Sequence, residues 1–149
     1  MDFRTRVCIW VIMVGLANFM AYTVLYVFIG GEAVNGYVIS SADGTLRYQL
    51  QSGELVSRAV FIYSGIHSIT IWPTVGAILL AMLTLAKERI VSSMRSSIVR
   101  GRTMITILAT IITLTILVMM FWFILHFAGR MTHPKPQETT ATAAVLPAI

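Results

Sequence analysis

The chain has 149 residues, of which 57% are hydrophobic and 11% charged, against roughly a quarter charged in an ordinary soluble domain. Its net charge of +5 could signal nucleic acid, but the cations lie between three long runs that carry no charge. A soluble domain of this size has no interior for three such runs, so the chain reads as an all-α membrane protein with three transmembrane helices.

The uncharged runs cover residues 7–29, 59–86 and 103–129, or 23, 28 and 27 residues, and a bilayer span needs about 20. One membrane domain over 1–128 follows, with spans near 7–29, 59–86 and 103–128. An outer loop occupies 30–58 and an inner loop 87–102. Arg4, Arg6, Lys87, Arg89, Arg95, Arg100 and Arg102 face only Asp2 and Glu88, whereas the charges of 30–58 and of the tail cancel. The positive-inside rule then places the amino terminus and the 87–102 loop in the cytoplasm, and the 30–58 loop and carboxyl tail outside. Lys87, Arg89, Arg95, Arg100 and Arg102 need no partner beyond anionic lipid headgroups on the inner face.

Near the start of the first span lies Cys8, the only cysteine, which excludes an intrachain disulfide and a thiolate metal site. We read it as an inert apolar residue in preference to a palmitoylation site. A cleaved signal peptide, ending at the Gly-Glu-Ala of 31–33, is the rival reading of this span. Its apolar length exceeds the ~7–15 residues of a signal's apolar region, and Asn18, Tyr22 and Tyr26 interrupt it. Glycines 30 and 31 should stop the helix.

Beyond them, β-prone runs at 37–40 and 46–50 flank Asp43 and Gly44, the pattern of a β-hairpin. Leu46, Tyr48 and Leu50 would share one face, and Arg47 and Gln49 the other. A lone hairpin is marginal in water, so its apolar face must rest on helix ends, on the membrane surface or on a partner. Ser52 is placed to cap the second span's helix, with Glu54 in the first turn.

Pro73 should kink that helix near Trp72. Tyr63, His67, Thr70, Thr74, Ala77, Ala81 and Thr84 alternate steps of four and three, a seam without large aliphatic residues that suits close helix approach in lipid. Thr103, Thr106, Thr110 and Thr113 repeat the pattern in the inner half of the third span, so the two seams are expected to pack together. Between the spans, Ile90, Met94 and Ile98 oppose Arg89, Ser93, Ser96 and Arg100, as in a short basic amphipathic helix lying on the inner leaflet. Gly101 would allow the reversal. The tail, 129–149, is rich in proline, threonine and alanine and reads as disordered.

Function in a membrane protein is often carried by polar groups inside the spans. At ~1.5 Å per residue, Tyr22 and His67 reach similar depths in the outer leaflet, with Asn18 level with Thr70 and Tyr26 with Tyr63. The first two spans therefore offer a shared polar cluster centred on His67. Three readings compete there: a packed histidine bonded to Tyr22 or a backbone carbonyl, a haem or metal ligand acting alone or with His126, and a proton or quinone site. The packed histidine is preferred, because no carboxylate accompanies it and the two imidazoles differ by ~8 Å in depth. Phe121, Trp122, Phe123 and Phe127 are read as an interfacial aromatic belt.

No hydrolase, zincin or nucleotide-loop motif is present. The expectation is a non-catalytic accessory or assembly subunit of a larger membrane complex or a homo-oligomer. A redox subunit holding haem or quinone near His67 (His126 being the other candidate ligand) is the alternative, and a signalling adaptor using the basic inner loop is the third.

Overall fold

In a computed structural model of the chain, residues 2–93 and 98–136 are described, except for the side chains of 93 and 98–100. Three helices, α1 (Phe3–Ile29), α2 (Arg58–Ser93) and α3 (Ile98–Thr132), carry a small sheet at one end. Its strands are β1 (Tyr37–Ser40), β2 (Leu46–Gln49), β3 (Leu55–Val56) and β4 (Lys135–Pro136). All three helices are long and apolar enough to cross a membrane.

α1 stops where glycine permits it to stop. Gly30 takes φ 80° and its N–H donates to the Tyr26 carbonyl, the left-handed cap that a side chain would disfavour. α2 starts later than Ser52, because Leu55 and Val56 first pair with Gln49 and Tyr48 as a third strand. Ser57 is the cap instead, its Oγ accepting from the Val60 N–H at 3.3 Å. Ser52 serves the preceding turn, accepting from the Glu54 N–H at 3.4 Å.

α2 runs unbroken through Pro73 to Ser93, and α3 begins at Ile98 with Gly101 already inside it. The amphipathic inner helix expected at 87–102 is therefore not a separate element. Its first half extends α2, since nothing between Ala86 and Ser93 breaks a helix, and its centre lies outside the described residues. The tail also departs from expectation. α3 continues to Thr132, and Lys135 and Pro136 form β4; residues 137–149 lie outside the described residues.

The hairpin forms with Val38 opposite Tyr48 and Ile39 opposite Arg47, but it is the middle of a four-stranded sheet ordered β3-β2-β1-β4. β4 joins β1 in parallel, with Ile39 opposite Lys135. Asp43 shapes the turn, its Oδ1 accepting from the Thr45 hydroxyl at 2.7 Å and amide at 3.0 Å. Under the sheet, Ala33, Val38, Leu50 and Phe61 are at most 2% exposed, surrounded by Ile29, Tyr48, Val56, Phe127 and Met131. The sheet thus rests on the ends of all three helices. Burying each of Val38, Leu50 and Phe61 contributes about 1.5–3 kcal/mol. Leu46, at the far end of β2, remains 48% exposed and does not join the core.

α2 packs against both other helices. Toward α1, a β-carbon on Gly15 would fall 2.6 Å from Cγ1 of Ile78. Toward α3, Gly65 faces Phe127 and Gly76 faces Ile116, while Trp72 and Phe123 have ring centroids 5.4 Å apart. These contacts replace the expected threonine seam. Thr103, Thr106, Thr110 and Thr113 are exposed, and the hydroxyls of Thr106, Thr110 and Thr113 donate to carbonyls one turn back in their own helix. Glycine allows a closer backbone approach than threonine, so Gly65 and Gly76 determine the face that α3 meets.

Candidate functional site

The seam of α2 divides between two directions. Tyr63, Thr70, Ala77 and Thr84 form an exposed stripe, whereas Ala81 is buried and His67 and Thr74 are half-buried. Thr74 turns to α1, accepting from Asn18 Nδ2 at 3.1 Å. Asn18 therefore meets Thr74, one turn deeper than Thr70. Thr74 can accept because its own hydroxyl proton goes to the Thr70 carbonyl at 2.8 Å.

Tyr22 lies at the centre of the cluster. Its ring meets the His67 imidazole edge-on with centroids 5.4 Å apart, and Tyr26 is 6.3 Å away on the same helix. No hydrogen bond links Tyr22 to His67. Instead Tyr22 donates to Glu32 Oε2 at 2.9 Å and accepts from Ser68 Oγ at 3.4 Å. Glu32 also accepts from Asn35 Nδ2. A carboxylate does stand near His67, one residue removed. The sequence reading missed it because Glu32 follows the helix-ending glycines and folds back over the α1 terminus. Close by, Ser64 Oγ accepts from the buried Ala33 N–H at 3.1 Å.

His67 Nδ1 lies 3.2 Å from the Tyr63 hydroxyl. Its Nε2 is buried and has no hydrogen-bond partner among the described residues. A cavity of about 10 Å³ adjoins it, lined by residues that include Tyr22, Tyr26, Tyr63 and Ser64. That volume is about one water molecule.

His126 belongs to a different constellation. Its Nε2 accepts from Arg130 Nε at 3.1 Å, and its ring stacks on Trp122 at 5.0 Å. Arg130 Nη1 donates to the carbonyls of Asn35, at 3.0 Å, and Gly36. One guanidinium thus ties the end of α3 to the segment entering β1. Nothing in the spacing of Arg130 signals this, because its acceptors are backbone atoms nearly a hundred residues away. Among the described residues, no group of three His, Cys, Asp or Glu side chains could hold a metal ion.

Of the basic residues assigned to lipid, Lys87, Arg89 and Arg102 are exposed at the end of the bundle opposite the sheet. Arg95 lies outside the described residues, as does the side chain of Arg100. Comparison of the chain with protein-family models, with curated proteins and with solved structures finds no match.

Proposed function

We propose that the chain is a three-span membrane protein acting as a non-catalytic accessory or assembly subunit, joining other membrane helices or copies of itself through α3. The carrying observation is the outward face of that helix. From Arg102 to Thr132 no residue of α3 is buried against the rest of the chain. Ile105, Thr106, Ala109, Thr110, Thr113 and Leu114 line a shallow groove of about 400 Å³ on it. Its threonine hydroxyls are satisfied by their own backbone, so the face presents small side chains at little polar cost. That is the surface on which membrane helices approach closely. The exposed stripe of Tyr63, Thr70, Ala77 and Thr84 on α2 offers a second such face. Charge asymmetry supports a cytoplasmic 87–102 segment, with the sheet and the carboxyl tail outside. The exposed Lys87, Arg89 and Arg102 fit anionic headgroups on the inner face.

The redox alternative has a narrower footing, the unpartnered Nε2 of His67. Arg130 occupies the Nε2 of His126, and the space beside His67 has the volume of one water. A haem or quinone therefore requires access from a partner's side.

Photo-crosslinking in native membranes tests the assembly reading. A probe on Thr110→Cys should give a discrete adduct, whereas one on the half-buried Ile112→Cys, about 200° round α3 and so on its opposite side, should not. Adducts from both positions, or from neither, would overturn it. A Soret band in the gently extracted protein would favour the redox reading.

A further inference from the structure

We infer that the cavity between Tyr37 and the end of α3 binds a phosphate-bearing anion. The cavity has a volume of about 220 Å³ and is lined by Tyr37, Val38, Arg130, His133 and Lys135. Lys135 Nζ stands 3.7 Å from the centroid of the Tyr37 ring, and Arg130 Cζ stands 4.5 Å from the same centroid. Two cations thus share one aromatic ring. Ring quadrupole attraction favours each of them, but it does not remove their mutual repulsion, and among the described residues the lining includes no carboxylate. An anion in the cavity would supply the missing countercharge.

The two cations play different parts. Arg130 is held by the carbonyls of Asn35 and Gly36 and by His126, so its charge is fixed in place before any ligand arrives. Lys135 is exposed, and its ammonium donors find no acceptor among the described residues. It is the group free to bond a ligand oxygen. His133 Nδ1 is turned back toward the Thr132 hydroxyl at 2.9 Å and the Gly129 carbonyl at 3.3 Å, which leaves Nε2 as its outward ring atom. The volume falls below the ~300–1,000 Å³ of pockets for drug-sized ligands; it suits a phosphate group rather than a whole cofactor. Position points the same way. The uncharged run of α3 ends at Gly129, so Arg130 and Lys135 stand at the headgroup level of a bilayer crossed by this helix. An acidic phospholipid and a free phosphate ester both carry such a phosphate, and the chemistry of recognition is shared. The inference does not depend on the α3 groove or on assembly.

Native mass spectrometry of the full chain in detergent tests it, with phosphatidylglycerol or phosphatidylcholine added at equal concentration. Phosphatidylglycerol should be retained in preference to phosphatidylcholine, and Lys135→Gln should weaken retention about tenfold, the loss of one charge-assisted contact. Lys135→Arg should restore it, and Lys87→Gln, at the other end of the bundle, should not lower it. Competition by inorganic phosphate would identify a site for free phosphate esters, and resistance to competition a headgroup site. Equal retention by the native chain and Lys135→Gln, or no preference for the acidic lipid, would overturn the inference.

Discussion

A β-carbon on Gly65 would stand 2.3 Å from Cζ of Phe127, so α2 and α3 meet there as backbone against ring. Phe127 has little room to withdraw, because its other face stacks on the fully buried Phe61 at 5.8 Å. Gly65→Ala should therefore destabilise the chain by about 1–3 kcal/mol, the usual cost of overpacking. At Gly15 the obstruction is Cγ1 and Cδ1 of Ile78, at 2.6 and 2.7 Å, a half-buried side chain, and Gly15→Ala should fall at the low end of that range, about 1 kcal/mol. Thermal unfolding in one detergent ranks the two. A reversed order would mean that the Gly65 contact is not where the helices are held together.

Tyr22 and Glu32 should behave as a coupled pair. Tyr22→Phe removes one donor from a carboxylate that keeps Asn35, and the expected loss is about 0.5–1.5 kcal/mol. In a double-mutant cycle with Glu32→Gln, the coupling should exceed that between Tyr22→Phe and His67→Gln, since no hydrogen bond joins Tyr22 to His67. Equal couplings would show that the cluster is organised around the imidazole.

Arg130→Lys should not be conservative. A single ammonium cannot serve two carbonyls and an imidazole in the geometry of a guanidinium, and part-buried carbonyls that lose their donor cost about 1–3 kcal/mol. Hydrogen exchange at the Val38 and Ile39 amides should accelerate in this variant. Arg58→Lys, exposed at the start of α2, should leave both amides unchanged. Unchanged exchange in Arg130→Lys would remove the guanidinium from its anchoring role.

Asp43 gives a pH dependence with a definite sign. The Thr45 hydroxyl and amide hold its carboxyl below the ordinary carboxylate value. A carboxyl depressed in the folded state adds stability above its unfolded pKa, about 3.9, and that stability is lost as pH falls through the folded value. Thr45→Val, which removes the hydroxyl, should move the Asp43 titration upward by NMR. No movement would mean that the hydroxyl contributes nothing to the depressed value.

Sequence patterning made the helices, the Gly30 stop and the hairpin legible, since each rests on local periodicity or turn chemistry. The helix-packing faces were not, because threonine, alanine and glycine are all small and a one-dimensional pattern does not rank them. Gly65 and Gly76, three turns apart on one side of α2 with Trp72 between them, were the signal overlooked. Two-residue strands such as β3 and β4 have no periodicity to read. Within the cluster, Tyr22 and His67 could be matched by depth along their helices, but Glu32 reaches Tyr22 through a reversal of the chain that counting residues does not reveal.

The parallel pairing of β4 with β1 joins the two strands of the sheet that lie farthest apart in sequence. The three antiparallel strands all lie within residues 37–56, so their pairing closes only short loops. Ile39 and Ser40 must then wait for Lys135 and Pro136, almost one hundred residues later, and loop closure over such a distance is slow. The edge of β1 is thus closed only by residues that follow α3. A chain ending before Lys135 would leave that edge of β1 without its parallel partner.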